Sequence, residues 1–201
     1  MAFFYSREEF EHQVEAHRQK IQELFGAVPT AFRNTELAYN DDLAKWADDS
    51  GYKTVLAEGW DPVLTWRSPN FVYRPSGTEN VKLLLKNYRL SDDLAFRFSN
   101  KAWEQYPLNA DTYSTWIDAA LGERGDVVNL FMDYETFGEN VWEDTGIFGF
   151  FEHFVGEWLK SDNHTFYTVT EAAESFEVRD EVSMPNTVTW ADSERDLSAW
   201  L

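Results

Sequence analysis

Two acidic side chains, Glu36 and Asp133, each follow a stretch that is typical of a strand. Asp133 comes directly after the apolar run 127–132, and Glu36 follows the predicted strand 30–35. Because an unpaired buried charge is costly, a carboxylate at the end of a buried strand requires a reason. In barrels of parallel strands, this end carries the catalytic groups. The pattern predicts an enzyme that uses two carboxylates, although an isolated acid there is as often a helix cap or an ion-pair partner.

Two facing carboxylates suit the cleavage of a glycosidic bond. An ionised one attacks or stabilises the oxocarbenium-like transition state, and a protonated one donates a proton to the departing oxygen. Apolar and acidic neighbours raise the pKa of a carboxyl group, so Asp133, with Glu135 close by, fits the proton donor. Glu36 follows the polar residues Asn34 and Thr35, which favour its ionised form and therefore fit a nucleophile.

Composition excludes several other classes of function. The chain has 201 residues, which is the size of one domain, and 36 acidic residues against 17 Lys and Arg give a net charge of -19. Such a surface repels nucleic acid and anionic lipid, so we expect neither as a partner. The absence of cysteine excludes disulfides and thiolate sites. No run is long enough to span a membrane and the start is not typical of a signal peptide, which predicts a cytoplasmic protein.

Strand-like runs alternate with helical patterns along the chain, which predicts an α/β fold with a parallel sheet. The predicted strands are 30–35, 54–58, 81–86, 127–132 and 164–170, and the predicted helices are 6–26, 40–51, 90–98, 113–121, 145–159 and 171–176. Five strands are too few for the usual barrel of eight. We therefore expect a single domain, 1–201, that is part of a longer barrel; an open five-stranded sheet is the alternative.

Three stretches resemble signature regions of glycoside hydrolase family 57, in its α-amylase-like branch. They are FRNTELAYND at 32–41, MDYETFGE at 132–139 and WADSERDLSAWL at 190–201. The resemblance implies an incomplete, seven-stranded α/β barrel that retains anomeric configuration while it cuts or transfers α-1,4-glucans, without a cofactor. It also implies that Glu36 is the nucleophile and Asp133 the general acid/base.

The family's first signature, a His-Gln-Pro, and its second signature have no counterpart in this sequence and would precede Met1. The resemblance therefore implies about five strands of the seven, the C-terminal part of a truncated catalytic barrel. Its implied partner is the missing N-terminal barrel segment. We expect the fragment to be inactive by itself.

Further side chains could bind the sugar, although packing, capping and surface ion pairs are the alternatives. These candidates are Arg33, Glu58, Trp60, Glu135, Trp142, Trp190 and Asp192. The four histidines (His12, His17, His153 and His164) lack the spacing of metal ligands, so we expect no metal site.

Three functions remain open at this point. The first is a retaining α-glucan hydrolase, and the second is a 4-α-glucanotransferase with the same two carboxylates and a sugar acceptor. The third is a truncated glucan-binding module without catalysis. A metal-dependent deacetylase on a related barrel is a distant fourth, because it needs clustered His and Asp residues.

Overall fold

Three parallel strands form the main sheet of the protein, which we describe from a computed structural model for residues 2–191 and 193–198. They are β1 (Ala31–Arg33), β2 (Thr54–Glu58) and β4 (Lys82–Lys86), in the order β1-β2-β4. Two short parallel strands, β3 (Arg74–Pro75) and β5 (Glu181–Val182), pair separately. The α/β class with parallel pairing is therefore confirmed. The five strands lie in two sheets, so the expected five-stranded part of a barrel is not seen.

Helices connect these strands and cover the sheet. Within the described residues they are α1 (Ala2–Tyr5), α2 (Arg7–Phe25), α3 (Asp41–Asp49), α4 (Asp61–Leu64), α5 (Tyr88–Asp92), α6 (Ala110–Leu121), α7 (Ile147–Trp158) and α8 (Val169–Ser175). A π-helical turn at Asp93–Arg97 extends α5, and short 3-10 helices occupy Thr35–Leu37, Tyr134–Thr136 and Glu143–Thr145.

Local capping signals in the sequence determine several helix ends. The side chain of Ser6 accepts a hydrogen bond from the Glu9 amide at the start of α2, and Gly26 ends this helix with φ of 67°. Glycine adopts this left-handed conformation at a helix end without steric cost, because it has no Cβ. Asn40 caps α3 through the Leu43 amide. The predicted helices at these positions are confirmed.

The predicted strand 127–132 lies beside β4 but pairs with it through one parallel bridge, between Asn129 and Lys86. Side chains replace the missing ladder. The side-chain amide of Asn129 donates to the Leu85 carbonyl at 3.0 Å. The Ser91 hydroxyl accepts from the backbone amide of Phe131 at 3.2 Å. Because buried backbone groups need partners, these polar side chains keep the segment in the strand position without a regular strand.

The prediction of a strand at 164–170 is wrong, because this stretch leads into helix α8. Thr168 and Glu171 form a capping box, in which each side chain accepts a hydrogen bond from the other residue's backbone amide. The capping box satisfies two free amides at the helix start. The β-branched composition of the stretch favoured a strand, and the capping pair outweighs that preference.

Two large apolar clusters form most of the core of the protein. The first joins α2 and α3 to the strands through Phe10, Leu43, Ala47, Val55, Leu83 and Leu85, among others. The second joins α5, α6 and α7 through Leu94, Tyr113, Ile117, Phe150, Phe154 and others. Ring contacts between aromatic side chains reinforce both clusters, such as Phe10 with Trp46 at 4.7 Å and Tyr113 with Phe154 at 5.3 Å. Much of the high aromatic content therefore serves packing.

In the described part of the chain, no helix is long and apolar enough to cross a bilayer. The single domain expected for 1–201 stays a prediction.

Replacing Asn129 by Ala tests whether its side chain holds the segment before Asp133. The variant leaves the buried Leu85 carbonyl without its side-chain donor, which typically costs about 1–3 kcal/mol. We expect the free energy of unfolding in urea to fall by this amount. The exposed Asn80→Ala is the control and should change stability by less than about 0.5 kcal/mol. Equal effects from both variants would contradict this account of the segment.

Candidate active site

The strands of the main sheet end at one edge, and polar side chains gather there. Arg33, Glu58 and Lys86 are the last residues of β1, β2 and β4. Glu36 follows in the turn after β1, and Asp133 follows the segment that is bridged to β4 at Asn129. Carboxyl ends of parallel strands are the usual place for ligands in α/β proteins. This edge is therefore the candidate active site.

A tight turn with an unusual backbone presents Glu36. Glu36 has φ of 55° and Leu37 has φ of 49°, both in the left-handed region that non-glycine residues rarely adopt. The Asn34 side chain supports the turn, because it donates to the Ala38 carbonyl at 2.9 Å and accepts from the Thr35 amide at 3.0 Å. Leu37 is completely buried and anchors the turn. Strain of about 1–3 kcal/mol per such residue is typical of functional sites.

A return segment, residues 184–191 and 193–198, runs back along the chain after β1. Its pairing is antiparallel, with a bridge between Tyr39 and Val188. Asp41 fixes its start by accepting from the Met184 amide at 2.7 Å. The return segment brings Trp190 beside Glu36, where the indole Nε1 donates to Glu36 Oε2 at 3.0 Å and the backbone amide donates to the Glu36 carbonyl at 3.1 Å.

Two cations lie against the ring of Trp190. The guanidinium carbon of Arg33 is 4.5 Å from the ring centroid, and the Nζ of Lys86 is 4.9 Å from it. Contacts at this distance are attractive because the ring face carries negative potential. Arg33 also lies 3.8 Å from Asp133, nitrogen to oxygen. Arg33 therefore links Trp190, which binds Glu36, to Asp133.

The surroundings of Asp133 raise the pKa of its carboxyl group. Partial removal from water is the largest cause, and the negative charges of Glu135 and Glu36 act in the same direction. The cations Arg33 and Lys86 oppose the increase. A carboxyl group with a raised pKa keeps its proton to higher pH, which is what a general acid requires.

Glu36 and Asp133 line the same cavity, which has a volume of about 210 Å³. Acids and cations share its wall with apolar side chains. The other lining residues are Lys86, Asp92, Ala95, Phe96, Phe131, Met132, Thr136, Asn140, Trp190, Ala191 and Arg195. The combination of carboxylates with apolar and aromatic faces is suited to a polyhydroxylated ligand such as a sugar.

Glu58 is completely buried beneath this cavity. Its carboxylate accepts a hydrogen bond from the Gly59 amide at 2.9 Å, pairs with Arg195 and lies 3.8 Å from the Nζ of Lys86. Lys86 also contacts Asp92 at 3.3 Å. Burial raises the pKa of Glu58, and the charges of Lys86 and Arg195 oppose that rise. Glu58 has no accessible surface in this structure, and its predicted contact with a sugar stays a prediction.

The remaining predicted site residues are placed differently. Glu135 is exposed and lies two positions after Asp133, within the 3-10 helix Tyr134–Thr136. Trp60 is half-buried against the first apolar cluster, where it precedes α4. Trp142 is 66% exposed. Among the described residues, the cavity wall includes neither tryptophan. Asp192 lies outside the described residues, so its predicted role stays a prediction.

Sequence reasoning missed three charged residues of the site, Lys86, Asp92 and Arg195. Lys86 has a recognisable signal, because it directly follows three leucines at the end of the predicted strand 81–86. Asp92 is the last residue of α5, the helix that begins after β4. Arg195 lies within the signature-like stretch 190–201. In the described ranges, no group of three or more His, Asp or Glu side chains could hold a metal ion.

Two carboxylates at the carboxyl ends of a parallel sheet, facing one cavity, are an arrangement typical of glycosidases. Comparison with known families agrees with this class. The sequence profile of Glycosyl hydrolase family 57 matches residues 1–185. The chain belongs to this family, as the three signature-like stretches indicated.

One curated relative and one solved structure are also similar to this chain. The chain is 45% identical over 202 residues to a protein of Methanocaldococcus jannaschii named "Putative alpha-amylase", and the match covers 100% of this chain and 42% of that protein. The fold is similar to the crystal structure of 4-α-glucanotransferase from Thermococcus litoralis, with a TM-score of 0.64 and 17% identity. That match covers 85% of this chain and 26% of the glucanotransferase. The chain thus spans less than half the length of either protein.

The charges around Asp133 can be tested by carboxyl ¹³C NMR titration, with Asp133→Asn used for assignment. We expect Asp133 to titrate above the ordinary aspartate pKa of about 3.9. Glu135→Gln removes a negative charge and should lower the pKa, whereas Arg33→Gln removes a positive charge and should raise it. The pKa of Asp133 is higher in the folded protein than in the unfolded chain. Its contribution to stability is therefore largest below the unfolded pKa and is lost as pH rises through the folded pKa.

The exposed Glu177→Gln is the control for this titration and should leave the Asp133 signal unchanged. Shifts of the same sign in the Glu135 and Arg33 variants would refute the electrostatic explanation.

Proposed function

We propose that this chain carries the catalytic carboxylates of a retaining glycoside hydrolase that acts on α-1,4-glucans. Glu36 is the nucleophile and Asp133 is the general acid/base. The observation that supports the proposal most strongly is that the two carboxylates, which arise from separate strand ends, line one cavity, where the charge of Glu36 helps to raise the pKa of Asp133. Family membership and the names of the similar proteins support the substrate class.

The reaction has two steps in this proposal. In the first, Glu36 attacks the anomeric carbon while Asp133 gives its proton to the departing glycosidic oxygen, so a covalent glycosyl ester forms and the glycosidic bond breaks. In the second, the Asp133 carboxylate takes a proton from the incoming hydroxyl group. The attack of this oxygen on the anomeric carbon releases Glu36, and two inversions leave the configuration unchanged.

The electrostatics of the pair suit both steps. In the resting site, the negative charge of Glu36 helps to raise the pKa of Asp133, so the proton donor is favoured. Ester formation removes the charge of Glu36. The pKa of Asp133 then falls, which favours the carboxylate that the second step needs.

Substitution of the two carboxylates tests these roles. Asp133→Asn should lower turnover of maltooligosaccharides by about 10²- to 10⁴-fold, the usual contribution of a general acid/base. Glu36→Gln should lower it at least as much, because no covalent ester can form. With azide and an activated substrate, Glu36→Ala should regain activity and give a glycosyl azide of inverted configuration, whereas Asp133→Ala should not give this product.

Because we expect this chain to be inactive by itself, these assays use the longer Methanocaldococcus jannaschii relative with the matching residues replaced. Glu177→Gln is the control and should keep full activity. Turnover in the Glu36 variant equal to that of the unchanged protein would refute the assignment of the nucleophile.

A 4-α-glucanotransferase is the second candidate function, favoured by the apolar side chains in the cavity wall. Phe96, Phe131 and Met132 offer faces on which an acceptor sugar could displace water. Chromatography of the products from maltooligosaccharides separates the two functions. Oligomers longer than the substrate show transfer, and exclusively shorter ones show hydrolysis. If transfer dominates, Phe96→Ala should shift the products toward hydrolysis, because the acceptor loses a contact surface.

A further inference from the structure

We infer that Glu58 is a positioning residue, which holds the carboxylate of Glu36 in its orientation through Trp190. Glu58 itself is completely buried and lies outside the cavity wall. Two cations that it binds both reach the surroundings of Trp190, and Trp190 donates to Glu36. The inference rests on the proposed function only for the consequence to catalysis, since the chain of contacts can be tested without turnover.

The first connection runs from Glu58 to Arg195. Arg195 pairs with Glu58 in the return segment and lies five positions after Trp190. The backbone closes the intervening loop, because the Thr189 amide donates to the Arg195 carbonyl at 3.0 Å and the Thr189 hydroxyl donates to the Asp196 carbonyl at 3.0 Å. The ion pair at one end of this loop therefore restrains Trp190 at the other.

The second connection runs from Glu58 to Lys86. Its Nζ lies 3.8 Å from Glu58, 3.3 Å from Asp92 and 4.9 Å from the ring centroid of Trp190. Lys86 is buried, so its position depends on the acids that compensate its charge. Loss of the Glu58 charge would leave Asp92, in direct contact, and Asp133, through its charge, to attract Lys86, and would change the contact with Trp190.

The last connection joins Trp190 to Glu36. Two hydrogen bonds tie the residues together, one from the indole to the carboxylate and one between the backbones. Glu36 needs such support, because its turn has two consecutive left-handed residues. A carboxylate that attacks a carbon atom must be held closely, and an error of about 1 Å can cost about 100-fold in rate.

A structural role alone would give a different result. If Glu58 only stabilises the fold, its loss lowers the free energy of unfolding but leaves the site of the folded molecules unchanged. The discriminating measurement is therefore made on Trp190 in the folded protein. Its indole ¹H–¹⁵N signal is assigned by its absence in Trp190→Phe, and its shift across the titration of Glu36 reports their hydrogen bond.

The test compares Glu58→Gln with Asp180→Asn. The glutamine keeps the size of the side chain and removes its charge; Asp180 forms another carboxylate–arginine pair, 2.8 Å from Arg67, and is not part of the cavity wall. We expect Glu58→Gln to move the Trp190 signal and to abolish its response to Glu36 ionisation, whereas Asp180→Asn should leave both unchanged. In an active protein, Glu58→Gln should lower kcat by about 100-fold and change KM by less than about twofold.

Arg195→Gln serves as a second variant if Glu58→Gln does not fold, because it breaks the same pair from the other side. An unchanged Trp190 signal and titration response in every folded variant of this pair would overturn the inference. Failure of the azide experiment would instead remove the proposed role of Glu36, and the signal of Trp190 would still decide the positioning claim.

Discussion

The candidate site depends on the compensation of one buried negative charge. Glu58 ends the central strand β2 without any exposed surface, and removal of a partner from such a buried pair typically costs about 3–5 kcal/mol. Lys86 from the neighbouring strand and Arg195 from the return segment supply the positive charges. Segments that are distant in the sequence must therefore meet at this point. The requirement explains why cations lie in the wall of this cavity in a protein with a net charge of -19.

The strained turn at Glu36 is consistent with this requirement. The left-handed conformations of Glu36 and Leu37 cost free energy, and the turn persists because Asn34, buried Leu37 and the return segment restrain it. The same contacts bring Trp190 over the carboxylate. The energy stored in the turn is thus offset by packing that also orients a reactive group, which is the usual arrangement in preorganised sites.

The sequence predicted those parts of the fold that short stretches determine. The runs 54–58 and 81–86 agree with β2 and β4, and the caps of α2 and α3 agree with Ser6 and Asn40. Placement of Glu36 and Asp133 at strand ends brought both correctly to one cavity, although their chemical roles stay predictions. The strand at 164–170 was wrong because a capping box competed with β propensity. The burial of Glu58 depends on Arg195, 137 positions away, and local patterns carry no information about such a pair.

The environment of Asp133 also suggests how a sugar would change the site. The Asp133 side chain is 49% exposed in the free protein, so water still reduces the effect of its charged neighbours. A sugar in the cavity would displace that water. Desolvation would penalise the carboxylate and favour a higher pKa of Asp133, while the repulsion by Glu36 and Glu135 and the opposing attraction of Arg33 and Lys86 would both become stronger. In the proposed mechanism, this desolvation would favour the protonated form of Asp133 when substrate binds, and the loss of the Glu36 charge on ester formation would act in the opposite direction.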